Sequence, residues 1–349
     1  MKVTSIVAFS ITLLASVVDS QKACNGYAEF CDKLYSEIAY VMTHNSYAAG
    51  KQPAANQNFN VSTQLKDGVR GLMLDSIYPD DNPKEMHLCH GNCRLFDAGS
   101  AVDTLTTIAG WLNENPNEVV TIIWENTAKV PTSAFNDVYT QSGLDKFGHV
   151  QGVGKGWPSL AKMIDSGKRL VNFINPPSDG SIPWLMSEFD YVFETPFENE
   201  DPNGWQCTID RPKGKEQPLY VLNHFLYNNF LPSDNQIQLP QPGLANVTNS
   251  ASLADHAKKC QQTFNKIPNF IAVDFYDKGG NDGQNVFSIA ADLNSVKYNQ
   301  TPLGDGTTNN NNGSNNEKAK SAAQPNGGLR NVYTLIGLAS VGTYVMFVL

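Results

Sequence analysis

The feature that most narrows the fold is a repeated exchange of short β-rich stretches with longer helical patterns through the middle of the chain. Stretches rich in β-branched and aromatic residues run over 38–43, 69–75, 119–125, 169–174, 191–194, 219–223 and 270–275. Helical patterns separate several of them: 101–113 carries Leu105, Ile108, Trp111 and Leu112 at helix spacing, and 159–166 and 253–264 behave alike. Strand and helix taking turns implies an α/β chain with a mainly parallel sheet. Seven stretches plus a short one at 86–90 supply the eight strands of an irregular (β/α)8 TIM-type barrel. Residues 21–298 are close to the roughly 250 that such a single domain uses. An open doubly wound sheet is the competing architecture, but no glycine-rich strand-to-helix loop of the nucleotide-binding kind occurs.

The two ends read as addresses. Residues 1–20 form a secretory signal: Lys2, an apolar run from Ile6 to Val18, then Val18-Asp19-Ser20 before a mature start near Gln21. That run is shorter than the roughly 20 residues a bilayer needs. A second apolar run, Val332 to Leu349, has no basic tail behind it, and small residues stand upstream at Ser321-Ala322-Ala323 and Asn326-Gly327-Gly328. Segment 329–349 is therefore expected to be a glycosylphosphatidylinositol (GPI) anchor signal with Ser321 as the attachment candidate; a C-terminal transmembrane helix is the alternative. Between domain and signal, 299–328 is rich in Asn, Gly, Thr and Ser and poor in large apolar residues. Such a stretch cannot bury a core, and it is expected to be a disordered spacer. The expected location is the cell surface, anchored to the outer leaflet.

A secretory route exposes the six cysteines to an oxidising compartment. Three disulfides among six cysteines allow fifteen pairings. Short separations favour Cys24 with Cys31 and Cys89 with Cys93, leaving Cys207 with Cys260. Zinc is the rival reading for Cys89, His90 and Cys93, but the rest of a four-ligand cluster is missing. Sequons at Asn60, Asn246, Asn299 and Asn312 agree with a glycosylated exterior protein. A net charge of −9 argues against a nucleic-acid partner, and no obligate protein partner is evident.

Ionisable residues collect where barrel enzymes keep their chemistry, at the C-terminal strand ends. His44-Asn45 follows the first strand, Asp75 ends the second, His90 ends the short one, Glu125-Asn126 ends the next, and Asp274 lies in the last. Each alone reads as a turn or cap residue, but five at corresponding ends do not. Alternation puts Met73 and Asp75 on one face and Leu72 and Leu74 on the other. By the same rule His87 and His90 point oppositely, which leaves His87 a surface or structural residue.

Four motifs carry a resemblance: Thr43-His44-Asn45-Ser46-Tyr47, Gly68-Val69-Arg70-Gly71-Leu72-Met73-Leu74-Asp75, His90-Gly91, and the run from Asn115 through Trp124-Glu125-Asn126. In order and spacing the chain resembles the X-domain superfamily of phosphatidylinositol-specific phospholipases C. It looks closest to the GPI-anchored X-domain proteins of fungi and plants, whose pattern continues through Pro268 to Tyr276. The resemblance implies a phosphoric diester hydrolase acting on an inositol phospholipid or related glycolipid. His44 would be the general base, His90 the general acid and Asp274 the group orienting His44.

The resemblance also bears on the counter-charge for the reacting phosphate. Bacterial members use an arginine where this chain has Asp75, whereas eukaryotic members bind calcium. Asn45, Asp75 and Glu125 match three of the calcium positions; the fourth is Met73, which cannot ligate a hard cation. The alternative is a catalytically inactive surface module that keeps the barrel to bind inositol lipid or cell-wall glycan. A third reading, metal-dependent hydrolysis of a choline or glycerol phosphodiester, needs the missing acid even more. No compact basic motif for extra phosphates is present: Arg94, Lys129, Lys155, Arg169 and Lys278 are scattered, as solvated surface residues are. Trp157, Trp184 and Tyr276 have the ring faces to stack on a sugar or touch lipid, with core packing the favoured reading.

Overall fold

The computed structural model describes residues 22–229, 238–299 and 301–304. Segment 1–20, Asn312, Ser321 and the apolar run at the far end lie outside the described residues.

In chain order the strands are β1 (Tyr40–Thr43), β2 (Gly71–Ile77), β3 (His87–Cys89), β4 (Asp97–Ser100), β5 (Val120–Glu125) and β6 (Leu170–Asn175). They continue with β7 (Leu185–Ser187), β8 (Val192–Glu194), β9 (Leu219–Asn223), β10 (Tyr227–Asn229), β11 (Gln238–Pro240) and β12 (Phe270–Val273). Eight lie in one curled parallel sheet in the order β7, β6, β5, β2, β1, β12, β9, β8. The last strand therefore lies against the first, with Tyr40 opposite Phe270 and Thr43 opposite Val273. The curl stays open at one seam, where β7 and β8 are not paired and the short turn Glu188–Asp190 joins them. The result is the expected irregular barrel.

One expected barrel strand is wrong. The sequence puts 86–90 in the barrel wall, yet β3 pairs antiparallel with β2 and β4 as a ribbon leaving the barrel. The connection from β2 is too short for the crossover of about a dozen residues that a parallel neighbour requires. The missing barrel strand is β7, which pairs parallel with β6. It has three residues, too few to show a period.

Alternation divides the side chains cleanly. Met42, Met73, Ile123, Phe173, Val221 and Ala272 point into the barrel and pack together. Their neighbours Val41, Leu72, Leu74, Ile122, Trp124, Leu222 and Ile271 point outward into a second cluster. There they meet the helix Ala101–Glu114, whose Leu105, Ile108 and Leu112 are fully buried at the expected spacing. Burying each such side chain is worth roughly 1.5–3 kcal/mol before the entropy of ordering it. Gly71 has a steric reason: a Cβ there would stand 2.8 Å from the Cβ of Met42 on the adjacent strand.

The cysteines pair Cys24–Cys31, Cys89–Cys93 and Cys207–Cys260. Disulfide sulfurs are not thiolate ligands, which removes the zinc reading. Chain packing also runs further than the expected boundary at 298: Leu303 packs on the core, and the amide of Gly304 donates to Asp67 at 2.7 Å. Asn60, Asn246 and Asn299 are exposed. No helix among the described residues is long and apolar enough to cross a membrane.

Candidate active site

Going up the barrel interior, the inward-facing residues change from apolar to polar. Met73 is followed on its face by Asp75, Ile123 by Glu125, and Val221 by Asn223. Above them opens a cleft of about 640 Å³ lined by His44, Asn45, Asp75, His90, Glu125 and Asp274 among others. Six of the seven residues read from strand ends thus meet in one cavity; Asn126 does not line it, accepting instead from Ser76 Oγ at 3.0 Å and donating to the Val130 carbonyl at 2.9 Å. His87 is paired with Asp97 at 3.0 Å on the ribbon and does not line it.

Backbone contacts between strand ends set His44. Its amide donates to the Val273 carbonyl at 3.0 Å, and Gln57 Nε2 donates to the carbonyls of His44 (2.8 Å) and Val273 (3.0 Å). The chain then turns sharply at Asn45, φ 44°, a left-handed conformation that asparagine tolerates. Phe275 has the same hand at φ 48°, where a bulky side chain is strained. That turn directs Asp274 at the histidine.

His44 Nδ1 lies 2.9 Å from Asp274 Oδ1, so an Nδ1–H donated to the carboxylate leaves Nε2 as the basic nitrogen. Asn56 Nδ2 donates to both Asp274 oxygens at 3.0 and 3.1 Å. Phe225 stacks on the His44 ring with centroids 3.8 Å apart and planes 7° from parallel. Across the cleft, His90 Nδ1 donates to the Ala54 carbonyl at 2.8 Å, again leaving Nε2. One loop therefore orients both rings, through Ala54 and Asn56. Burial holds the His90 imidazole below its usual pKa, the Ala54 bond opposes that, His44 adds to it, and Asp274 opposes it.

The family model described as PI-PLC X 1 matches residues 30–288. The chain belongs to the PI-PLC X domain family. It is 36% identical over 267 residues to PI-PLC X domain-containing protein 1 of Arthroderma benhamiae, covering 73% of this chain and 86% of that one. An uncharacterized secreted protein of the same organism is 35% identical over 304 residues, covering 82% and 67%. Among solved structures, the F249X mutant of phosphatidylinositol-specific phospholipase C from Staphylococcus aureus aligns with TM-score 0.53 and 15% identity, covering 76% of this chain and 95% of that one. Likeness at that identity shows the fold alone: a phospholipase C-like barrel.

Against that family background, the β5 and β8 side of the cleft holds the residues that sequence reasoning missed. Asp75 and Glu125 lie directly opposite in the β2–β5 register. Burial first, and Glu125 second, push Asp75 up to about 7, against smaller lowering by Tyr47 and His44. Glu125 Oε1 accepts from Arg211 Nη2 at 3.0 Å, and the same nitrogen donates to Glu194 Oε2 at 2.8 Å. Asn223 Nδ2 donates to Glu194 as well, at 2.9 Å. Arg211 reaches this place through an antiparallel bridge to Glu194 and lies over the Phe197 ring at 4.4 Å. Glu188, fully buried beside Glu194, is held well above the carboxylate range by burial and then by Glu194. Asn56 and Gln57 carried a faint signal, a polar run after Ala54-Ala55. Arg211 carried none.

Calcium, implied by the resemblance, takes six to eight oxygens, several of them anionic. The cleft offers Asn45, Asp75 and Glu125, with the buried Met73 thioether at the fourth place and a guanidinium already on Glu125. Such a donor set does not fit a hard dication. Of the scattered cations, Arg169 is buried and caps the carbonyls of Leu112, Asn115 and Glu118, while Arg94 pairs with Asp80 at the surface. Neither lines the cleft. Trp157 and Tyr276 are core, as expected, while Trp184 is partly buried at the edge of the outer cluster.

Proposed function

We propose that this chain is a phosphoric diester hydrolase that cleaves an inositol phospholipid or a related glycolipid by acid–base catalysis on His44 and His90. The observation that carries this reading is the pair of imidazoles lining one cleft, each with Nδ1 held by a protein acceptor and Nε2 left for substrate. His44 Nε2 takes the proton of the inositol 2-hydroxyl. That oxygen attacks phosphorus, and the bond from phosphorus to the glycerol oxygen breaks as His90 Nε2–H protonates the leaving oxygen. The products are a cyclic inositol phosphodiester and diacylglycerol. Asp274, fixed by Asn56, keeps His44 in the productive tautomer and stabilises the imidazolium that forms. The end segments and the exposed Asn60, Asn246 and Asn299 support a secreted, glycosylated protein held by a GPI anchor on the outer leaflet.

The test is release of cyclic inositol phosphate from phosphatidylinositol vesicles by the purified protein, its His44→Ala variant and its His90→Ala variant. Turnover in the parent that collapses in both variants is expected. Met73 favours a second reading, a module that binds the headgroup without cleaving it. Headgroup binding without turnover under any metal condition selects that reading.

A further inference from the structure

The geometry points to Arg211 as the resident cation of the cleft: its guanidinium binds the substrate phosphate in the place a metal ion would take, so that phosphate binding needs no calcium. The inference rests on the reading above only for the identity of the phosphate-bearing ligand.

Three observations carry it. First, Arg211 lines the same cleft as His44 and His90, whereas no lysine lines it among the described residues. A phosphate diester arriving there meets the carboxyl groups of Asp75, Glu125 and Asp274, and among the described residues of the lining Arg211 is the one arginine or lysine that can donate to it. Second, the guanidinium is built in. Nη2 is shared between Glu125 and Glu194, the ring of Phe197 lies against it, and Asn223 fixes the second carboxylate. Nη1, by contrast, has no hydrogen-bond partner among the described residues and is left to donate a charge-assisted bond to a phosphate oxygen. Third, the metal reading fails on the same residues. Glu125 is the matched ligand that Arg211 occupies, and the carboxylate oxygens of Glu125, Glu188 and Glu194 lie within 4.8 Å of one another around that guanidinium. The acidic cluster has its counter-cation in the chain itself.

Two measurements decide it, one of which needs no turnover. In calorimetry with EDTA present, the parent is expected to bind myo-inositol 1-phosphate, and Arg211→Gln to bind it at least about tenfold more weakly. Because that variant strands Glu194, the double variant Arg211→Gln with Glu194→Gln is measured beside it and is expected to show the same loss with its fold retained by circular dichroism. Calcium chloride titrated into the parent should give no binding heat up to about 1 mM. Turnover should be the same in EDTA and in calcium, and guanidinium ion should restore part of the rate of Arg211→Ala. Calcium binding that disappears in Asp75→Asn, or undiminished phosphate binding in the double variant, overturns the inference. A parent that binds inositol phosphate through Arg211 but never turns over refutes the proposed hydrolase and leaves the inference standing.

Discussion

The two walls of the cleft are stabilised in opposite ways. On the β1 and β12 wall, His44, Asp274, Asn56 and Gln57 form a hydrogen-bonded set in which Asp274 receives two bonds from Asn56 and one from His44. On the β5 and β8 wall, two buried glutamates and the half-buried Glu125 stand around one guanidinium, and both Glu188 oxygens, Glu194 Oε1 and Arg211 Nε have no partner among the described residues. The first wall lies on the continuous β12–β1–β2 sheet; the second adjoins the unpaired seam between β7 and β8. A wall of neutral and charge-assisted bonds fixes direction, which proton transfer needs. A wall of compensated charges fixes an electrostatic potential and gives up stability when one member leaves.

Substitutions should therefore fail differently on the two sides. The largest expected effect is on rate: His44→Ala and His90→Ala each lower turnover about 10²–10⁴-fold, with thermal unfolding close to the parent, since the cleft leaves both rings partly exposed. Next comes Arg211→Met, which leaves Glu194 charged and fully buried. It should cost about 3–5 kcal/mol in chemical denaturation, mostly recovered when Glu194→Gln is added. An unfolding midpoint unchanged by Arg211→Met would erase the contrast between the walls.

That contrast also explains what could be read from the sequence. The first wall is made by residues at the ends of strands that are visible in the sequence, so His44 and Asp274 could be placed by their position at strand ends and Asp75 also by counting from Met73. The second depends on contacts that no local pattern encodes. Arg211 stands in a turn between Asp210 and Pro212, and its meaning comes from a bridge to Glu194 formed in three dimensions. The same holds for β7, three residues long, whose place in the sheet is fixed by pairing with Asn172, Phe173 and Ile174. Residues 86–90 misled because a short apolar stretch ending in histidine has the same composition in a ribbon as in a barrel.

Smaller effects sharpen the comparison within the first wall. Asn56→Ala removes both amide bonds to Asp274 and the partner of Asn45 Nδ2. About 1–3 kcal/mol of stability should go with it. The turnover number should fall while KM stays near the parent value, because the lost function is aim rather than affinity. A rise in KM alone would mean that Asn56 touches substrate instead of holding Asp274.

The smallest effect is a displacement along the pH axis. His90 is half-buried, and that partial burial holds its folded pKa below the usual imidazole value. The groups facing it are Asp274 and the Ala54 carbonyl, which raise it, and His44, which lowers it. As general acid His90 must carry its proton, so kcat/KM for the free enzyme should fall as pH rises through a pKa below about 6.5. Stability runs the other way. The folded state favours neutral His90, so this residue's contribution is complete above the unfolded value of about 6.5 and is lost as pH falls below it. A bound phosphate adds negative charge beside the ring and raises its pKa. The alkaline limb of kcat should therefore lie above that of kcat/KM, which paired pH profiles of parent and His90→Gln would show, the limb being absent from the variant. An alkaline limb of kcat/KM above pH 7 would give the proton to some other residue.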